Sequence, residues 1–191
     1  MSGPFRIGER LYLRAPEKGD IELFLRWFND PEVVQFVMRH RPLGREEEEE
    51  WLANLHKRES DVVFAIARKE DDGAIGSCGL HRIRVPNRSA ELGISIGEKR
   101  FWNQGYGREA MGLLCGYAFE VLNLHRIGLS VYEYNLRAQR CYEKVGFQLE
   151  GRRRQARFWN AQYWDVLEMG LLASQWPAGR SPRELCQASI V

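Results

Sequence analysis

The sequence has 191 residues, 44% of them hydrophobic, which is enough to form the core of one globular domain. Its 28 lysine and arginine residues against 26 aspartate and glutamate residues leave a net charge of +2. That balance argues against nucleic acid as the main partner. No apolar run approaches the roughly 18 residues that span a bilayer, and the N-terminus lacks a signal-peptide core. We expect one domain over residues 1–176, a C-terminal tail over 177–191, a cytoplasmic location and no membrane partner.

The first sixty residues predict one strand and three helices. Residues 5–14 alternate apolar and polar side chains as a strand does, and Pro16 ends it. Asp20 is placed to cap the next helix, and Pro31 stands at the first turn of another. The acidic run at 46–50 begins a third helix, where acidic side chains favour the helix dipole. We expect these carboxylates to form a solvated face, with an acidic collar for a cationic substrate as the alternative.

The middle of the chain predicts an antiparallel meander. Residues 62–67 and 74–84 are typical of two strands joined by a hairpin turn at 71–73, and residues 90–96 follow as a third strand. A further strand at 126–132 should lie parallel to the strand at 90–96, because a helix connects the two.

The most informative stretch is FWNQGYGREA at residues 101–110. Gly105 and Gly107 allow a tight turn and the close approach of a ligand, and the residues after them have the apolar spacing of a helix. The N–H groups of a first helical turn point outward, where the helix dipole adds positive potential. A strand, a glycine turn and a helix in this order predict a cradle for a diphosphate, without the lysine of a Walker motif.

The same glycines also match the dinucleotide-binding fingerprint G-x-G-x-x-G/A, which would end at Ala110. Glu133 lies near the place of a ribose-binding acid. Only 58 residues follow Glu133, which is too few for the remaining strands of a doubly wound sheet. The dinucleotide interpretation is therefore the less favoured of the two.

The cysteine and histidine residues do not indicate a metal site. The four cysteines are widely spaced without a C-x-x-C pair, and the four histidines show no ligand spacing. No cysteine stands beside a histidine in a recognisable nucleophile pair. We expect neither a bound metal nor a disulfide framework.

A second informative stretch lies at residues 135–147. Residues 138–144 are predicted to be helical, and Gly146 provides the C-terminal stop. Asn135 and Tyr142 are seven positions apart, so they share one helix face if the first turn begins near Asn135. The residues that follow predict a closing hairpin.

Together these stretches resemble the GNAT acetyltransferases, and within them the branch of ribosomal-protein alanine and spermidine N-acetyltransferases. The resemblance covers roughly residues 5–175. The matching motifs are NDPEV at 29–33, AELGI at 90–94, WNQGYGREA at 102–110, NLHRI at 123–127 and the stretch at 135–151. This resemblance implies an α/β (α+β) GNAT fold, with a mixed V-shaped central sheet flanked by helices. It also implies an enzyme that moves an acetyl group from acetyl-coenzyme A to a primary amine by direct attack in a ternary complex.

In that family the coenzyme enters the gap of the sheet, its pantetheine arm lying along one strand like an added strand. Trp102 occupies a place where the superfamily usually has arginine or glutamine, a departure that this branch shares. The residues that the resemblance assigns to acetyl-coenzyme A are Ile94, Ser95, Ile96, Trp102, Asn103, Gln104, Gly105, Tyr106, Gly107, Arg108, Glu109, Asn135 and Tyr142.

Two residues are the catalytic candidates. Glu91 could remove a proton from the protonated acceptor amine, directly or through water, and otherwise it is a solvent-facing strand carboxylate. Tyr142 matches the family's tyrosine that protonates the departing thiolate, and otherwise it is a core aromatic residue. Asn135 could bind the coenzyme's amide chain or simply cap a helix.

The sequence does not determine the acceptor. Protein N-termini, small amines and polyamines all fit the branch, and a non-catalytic acyl-coenzyme A sensor is the alternative from another class. Three basic side chains at residues 38–44 would repel a polycation, which ranks polyamines below the other acceptors. The arginines of the closing hairpin could attract acidic groups, and its aromatic side chains could line the acceptor site or form a core or homodimer contact. These residues are Arg152, Arg153, Arg154, Arg157, Trp159, Tyr163 and Trp164.

Overall fold

The computed structural model describes residues 3–176. The strands are β1 (Arg6–Ile7), β2 (Leu11–Arg14), β3 (Val62–Arg68), β4 (Ala74–Arg84), β5 (Ser89–Ile96), β6 (Arg126–Tyr132), β7 (Gln148–Trp159) and β8 (Gln162–Leu172). The helices are α1 (Ile21–Phe28), α2 (Pro31–Val34), α3 (Arg45–Asn54), α4 (Tyr106–Gly116) and α5 (Leu136–Val145). Within the described part of the chain, no helix is both long and apolar enough to cross a membrane.

All eight strands join one mixed sheet in the order β1-β2-β3-β4-β5-β6-β8-β7. β5 and β6 are parallel neighbours, and their pairing is confined to residues 89–91 against 126–128. Beyond that point β5 continues to Ile96 and β6 to Tyr132 without pairing to each other. The sheet therefore splays at its centre, which confirms the predicted mixed V-shaped architecture.

The main hydrophobic core lies between the sheet and α4. Leu114 and Cys115 of α4 are fully buried against apolar side chains of the sheet, among them Leu92 and Ile127. α5 packs beside α4. A second, smaller core joins Phe24 of α1 to neighbouring side chains of α1, α2 and β4. The main core includes side chains from both arms of the sheet, whereas the second core borders only the arm that contains β4.

Three local expectations are corrected by the structure. Residues 5–14 form two short antiparallel strands, because the chain turns between Ile7 and Leu11. Asp20 precedes α1 but makes no side-chain cap; its carboxylate binds the buried Arg14 guanidinium through two contacts of 2.7 Å. α4 is buried on all sides over its second half, not on one face alone. The predicted C-terminal tail lies outside the described residues.

Candidate active site

A cavity of about 530 Å³ lies beside the splayed end of β5 and is lined by the glycine turn. Gly105 adopts a left-handed backbone with φ of +82°, which a glycine tolerates without strain, and it is the N-cap of α4. Within the described residues, the N–H groups of Tyr106 and Gly107 have no hydrogen-bond partner. They belong to the positive end of α4 and line the cavity, as a diphosphate site requires.

Gly107 has a different reason to be glycine. A Cβ atom built there would lie 3.8 Å from Ile96 and 4.0 Å from Cys141, which is ordinary contact. Protein packing therefore does not demand glycine at this position. The absence of a side chain at Gly107 leaves space in the cavity, so that a ligand can approach the backbone there.

Trp102 ties the glycine turn to the end of β5. Its indole N–H donates to the carbonyl oxygen of Ile96 at 2.7 Å. The Arg137 guanidinium stacks over the same ring at 3.8 Å, and Phe36 meets it edge-on. The indole thus fixes one wall of the cavity by packing and a single hydrogen bond, in the place where the superfamily usually has arginine or glutamine.

Asn135 both caps a helix and lines the cavity. Its side-chain oxygen accepts a hydrogen bond from the Ala138 N–H at 3.2 Å, which starts α5. The side-chain amino group has no partner in the described part of the chain. The cap orients that amino group beside the cavity, where it can donate to a ligand.

Tyr142 lies on α5, packs against Phe147 and lines the same cavity. Burial raises the pKa of the Tyr142 phenol, so the hydroxyl keeps its proton at neutral pH. No residue of the described chain hydrogen-bonds this hydroxyl. The phenol is therefore available as a proton donor.

Most residues that the sequence assigned to the coenzyme line this one cavity. They are Ile94, Ser95, Ile96, Trp102, Asn103, Gln104, Gly105, Tyr106, Gly107, Arg108, Asn135 and Tyr142. Glu109 is the exception. Its fully buried carboxylate accepts hydrogen bonds from the Arg10 and Leu11 N–H groups at 2.7 and 3.0 Å, so it faces β2 and not the cavity.

A second cavity of about 340 Å³ lies on the other side of β5. Its floor is the face of β4 and β5 that carries Ser77, Gly79 and Gly93, whose small side chains leave the sheet uncovered. Aromatic side chains of α1 and α3 form its walls. Val37, Ile94 and Ser95 line both cavities, so the two spaces meet beside the splayed part of β5.

Glu91 stands near the second cavity without lining it. It lies directly across from His81 of β4, on the same face of β5 as Gly93. Its carboxylate is 45% exposed and pairs with Arg82 at 2.9 Å. The geometry thus places Glu91 at the sheet face that forms the cavity floor, with room for water around it.

The closing hairpin contributes to neither cavity. Arg152 pairs with Glu133 and Asp165 at 3.1 and 2.8 Å, and Arg153 pairs with Glu168 at 2.6 Å. The indole of Trp164 packs edge-on against Tyr134. Arg152 and Arg153 thus form exposed ion pairs, whereas Arg157 is half-buried with its guanidinium over the Tyr132 ring. No residue of the hairpin lines the second cavity.

Among the charged residues and histidines that line these cavities, sequence reasoning gave no site role to Arg137, Arg140 and Lys144 at the first cavity or to His81 at the second. Glu48 of the acidic run also lines the second cavity, a position that agrees only with the acidic-collar alternative. A signal for Glu48 was present, because it lies three positions before Trp51 and so shares its helix face. The structure shows Glu48 buried at 6% exposure, while its four acidic neighbours in the run are exposed.

Comparison with known proteins defines the family. The model of the acetyltransferase (GNAT) domain matches residues 10–148, and the chain belongs to this family. It is an N-acetyltransferase whose co-substrate is acetyl-coenzyme A.

The chain matches a spermidine N-acetyltransferase and a protein named for ribosomal acetylation, the two kinds of enzyme that its sequence resembles. The spermidine N(1)-acetyltransferase of Vibrio cholerae is 31% identical over 170 residues, covering 89% of this chain and 97% of the relative. A protein provisionally named a ribosomal N-acetyltransferase, YdaF of Bacillus subtilis, is 33% identical over 124 residues, covering 65% of this chain and 64% of YdaF.

Among solved structures, the spermidine N-acetyltransferase of Vibrio cholerae in complex with coenzyme A and spermine superposes with a TM-score of 0.81. It is 30% identical and covers 87% of this chain and 97% of that one. The GNAT fold expected from the sequence is confirmed.

Proposed function

We propose that this enzyme transfers the acetyl group directly from acetyl-coenzyme A to a small primary amine, in a ternary complex at the junction of the two cavities. The observation that carries the proposal is that Val37, Ile94 and Ser95 line both cavities. A thioester in the larger cavity and an amine in the smaller one would meet there, which converts a bimolecular step into one between held groups.

The coenzyme is proposed to bind in the larger cavity. The free N–H groups of Tyr106 and Gly107 and the dipole of α4 suit its diphosphate. Arg137 lines the same cavity, and no carboxylate of the described chain forms an ion pair with it. It is a further candidate for a phosphate contact, because a guanidinium that stacks on a ring and has no acidic partner can still donate hydrogen bonds to phosphate oxygens.

Direct attack is favoured over an acyl-cysteine intermediate by the state of the thiols. A nucleophilic cysteine needs a lowered pKa, because the thiolate is the reactive form. Burial raises the pKa of Cys141, which lines the coenzyme cavity, to about 11. Burial also raises the pKa of Cys78, which lines the second cavity. Neither thiol is activated for covalent catalysis.

Two residues are proposed to move the protons. Glu91 takes a proton from the acceptor ammonium through a water molecule, since its carboxylate lies outside the cavity lining. The amine nitrogen then attacks the thioester carbonyl carbon, and the carbon–sulfur bond breaks. Tyr142, protonated at neutral pH, donates its proton to the departing thiolate. The attacking nitrogen loses its second proton as the intermediate collapses, and that proton returns through water to the Tyr142 phenolate.

The acceptor is proposed to be a small amine, with the N-terminal residue of a protein as the second candidate. A volume of about 340 Å³ is at the lower end of small-molecule sites, which run from roughly 300 to 1,000 Å³. The Arg39 guanidinium donates hydrogen bonds to both carboxylate oxygens of Glu47, at 2.8 and 2.9 Å. This pairing neutralises one of the three basic side chains at 38–44, so the loop repels a polycation less than three free charges would. Spermidine, the substrate in the name of the Vibrio cholerae relative, therefore belongs in the test as well.

The proposal is tested by thiol release from acetyl-coenzyme A in the presence of small amines, N-terminal peptides and polyamines. We expect at least one class to stimulate release and to be recovered as the acetylated amine. Tight coenzyme binding without stimulated release by any class would contradict the proposal and favour an acyl-coenzyme A sensor.

A further inference from the structure

The second cavity contains a carboxylate that nothing in the protein uses. Glu48 is buried at 6% exposure and lines this cavity. In the described part of the chain it makes neither an ion pair nor a side-chain hydrogen bond. A carboxylate that is largely withdrawn from water and has no protein partner costs stability. Its oxygens are not among the fully enclosed unpaired side-chain atoms of the described chain, so they are open to the cavity and to a ligand there.

The packing of α3 against α1 brings Glu48 to the second cavity. Trp51, one turn further on, packs edge-on against Phe24 of α1, and this contact turns the shared face of α3 inward. Because Glu48 is buried and yet lines the cavity, the cavity is the space in which its carboxylate can meet a ligand.

The charged neighbours leave this carboxylate uncompensated. Arg39 lines the same cavity, but two hydrogen bonds of 2.8 and 2.9 Å commit its guanidinium to Glu47. His81 is directed to Asp61, 3.7 Å away. Burial raises the pKa of Glu48, while Arg39 opposes that rise.

We propose that Glu48 binds a second, non-reacting positive charge on the acceptor and thereby determines which amines the enzyme prefers. The apolar walls of the cavity, Phe24, Phe28 and Trp51, would hold the hydrocarbon part between the two charged ends. The reacting nitrogen is a poor occupant of this position, because pairing with a carboxylate would hold it in the protonated form that cannot attack. This inference rests on the assignment of the second cavity to the acceptor.

The test compares 1,4-diaminobutane with 1-aminopentane, which has a methyl group in place of the second ammonium. Binding of each to the coenzyme A-saturated protein is measured by calorimetry for wild type, Glu48→Gln and the control Glu50→Gln. Glu50→Gln removes the same charge from an exposed position of α3 that lines neither cavity. We expect wild type and the control to bind the diamine about tenfold or more tightly than the monoamine, and Glu48→Gln to bind both alike.

The proposal is overturned if wild type does not distinguish the two amines, if neither binds, or if the preference survives in Glu48→Gln. Unchanged coenzyme A affinity in Glu48→Gln shows that the variant is folded. Where turnover is measurable, the same variant should raise KM for the diamine and leave kcat within about twofold, whereas a proton-transfer role would lower kcat instead. Charge-dependent binding without any acetyl transfer would contradict the proposed function alone.

Discussion

Gly105 and Gly107 stand two positions apart and are glycine for different reasons. The positive φ of Gly105 is a backbone requirement, since a side chain there is strained whatever the space around it. Gly107 has an ordinary helical conformation and room for a Cβ. The sequence motif alone gives both glycines the same weight, and the structure separates a turn-forming residue from one that keeps the cavity open.

Substitution at Gly107 should therefore act on coenzyme binding more than on folding. We expect Gly107→Trp to raise the Kd for acetyl-coenzyme A by about tenfold or more, because the indole would fill the approach to the α4 N–H groups. Gly107→Ala is the matched control and should fold at least as well as wild type, since alanine is the better helix former. Calorimetric Kd values equal for Gly107→Trp and wild type would remove the glycine turn from the coenzyme site.

The proposed catalytic role of Tyr142 depends on its hydroxyl proton and not on the packing of its ring. Tyr142→Phe keeps the contact with Phe147 and removes only the hydroxyl, so coenzyme affinity should change little. We expect kcat to fall by about 10²-fold, the usual contribution of a positioned proton donor. A kcat within twofold of wild type in stopped or continuous thiol-release assays would exclude Tyr142 as the proton donor.

Glu91 is tested by the shape of the pH–rate profile. If this carboxylate accepts the amine proton through water, Glu91→Gln should flatten the acidic limb of kcat/KM and lower its plateau. The exposed pair with Arg82 contributes little to stability, so the variant should remain folded. An acidic limb identical to that of wild type would assign the base to another group.

At the level of elements, a buried carboxylate adds hydrogen bonds to the apolar packing between α4 and β2. Glu109 accepts hydrogen bonds from the Arg10 N–H, the Leu11 N–H and the Arg10 guanidinium, at 2.7, 3.0 and 3.0 Å. It therefore connects the helix that presents the glycine turn to the strand that borders it. Its position inside the motif suggested a coenzyme contact, and its side chain serves the scaffold instead.

Loss of the Glu109 hydrogen bonds should lower the free energy of unfolding substantially. We expect Glu109→Ala to lower the free energy of unfolding by about 3 kcal/mol, because it leaves a buried N–H group of Leu11 without an acceptor. Glu49→Ala, which removes an exposed carboxylate 3.8 Å from Arg45, should cost less than about 1 kcal/mol. Urea unfolding measures both, and equal midpoints for the two variants would refute the structural role of Glu109.

The elements themselves were largely predictable, and the side-chain partners were not. Alternation in β3 to β5 and the glycine turn before α4 are local signals, so their placement followed from the sequence. The inward position of Glu48 depends on how α3 packs against α1, and the turn between β1 and β2 depends on pairing with β3. Such long-range contacts have no local pattern. In the acidic run at 46–50, the sequence alone does not indicate that Glu48 is the member that faces inward.

At the level of the whole molecule, the splayed sheet creates a gap that the protein does not fill. The two cavities on either side of β5 are the consequence, and Glu48 is the charged group left uncompensated in one of them. Sites that must bind a ligand often keep such unsatisfied groups at a cost in stability.

That cost should be visible in the pH dependence of stability. The folded-state pKa of Glu48 is raised by burial, so its ionised form destabilises the fold above that pKa, and the penalty disappears below the unfolded value of about 4.3. We expect Glu48→Gln to raise Tm by about 2–4 °C at neutral pH, with a difference from wild type that shrinks as the pH falls. Thermal unfolding at several pH values checks this, and Glu50→Gln should show no such trend. A destabilised Glu48→Gln at neutral pH would indicate that the carboxylate has a partner in the folded protein.

The most direct test of the catalytic proposal is the initial-rate pattern with acetyl-coenzyme A and the stimulating amine varied together, and the acetylated amine identified by mass spectrometry. Direct attack in a ternary complex predicts intersecting double-reciprocal lines and one acetylated amine for each thiol released. Parallel lines, or thiol release without acetylated amine, would contradict transfer at the junction of the two cavities.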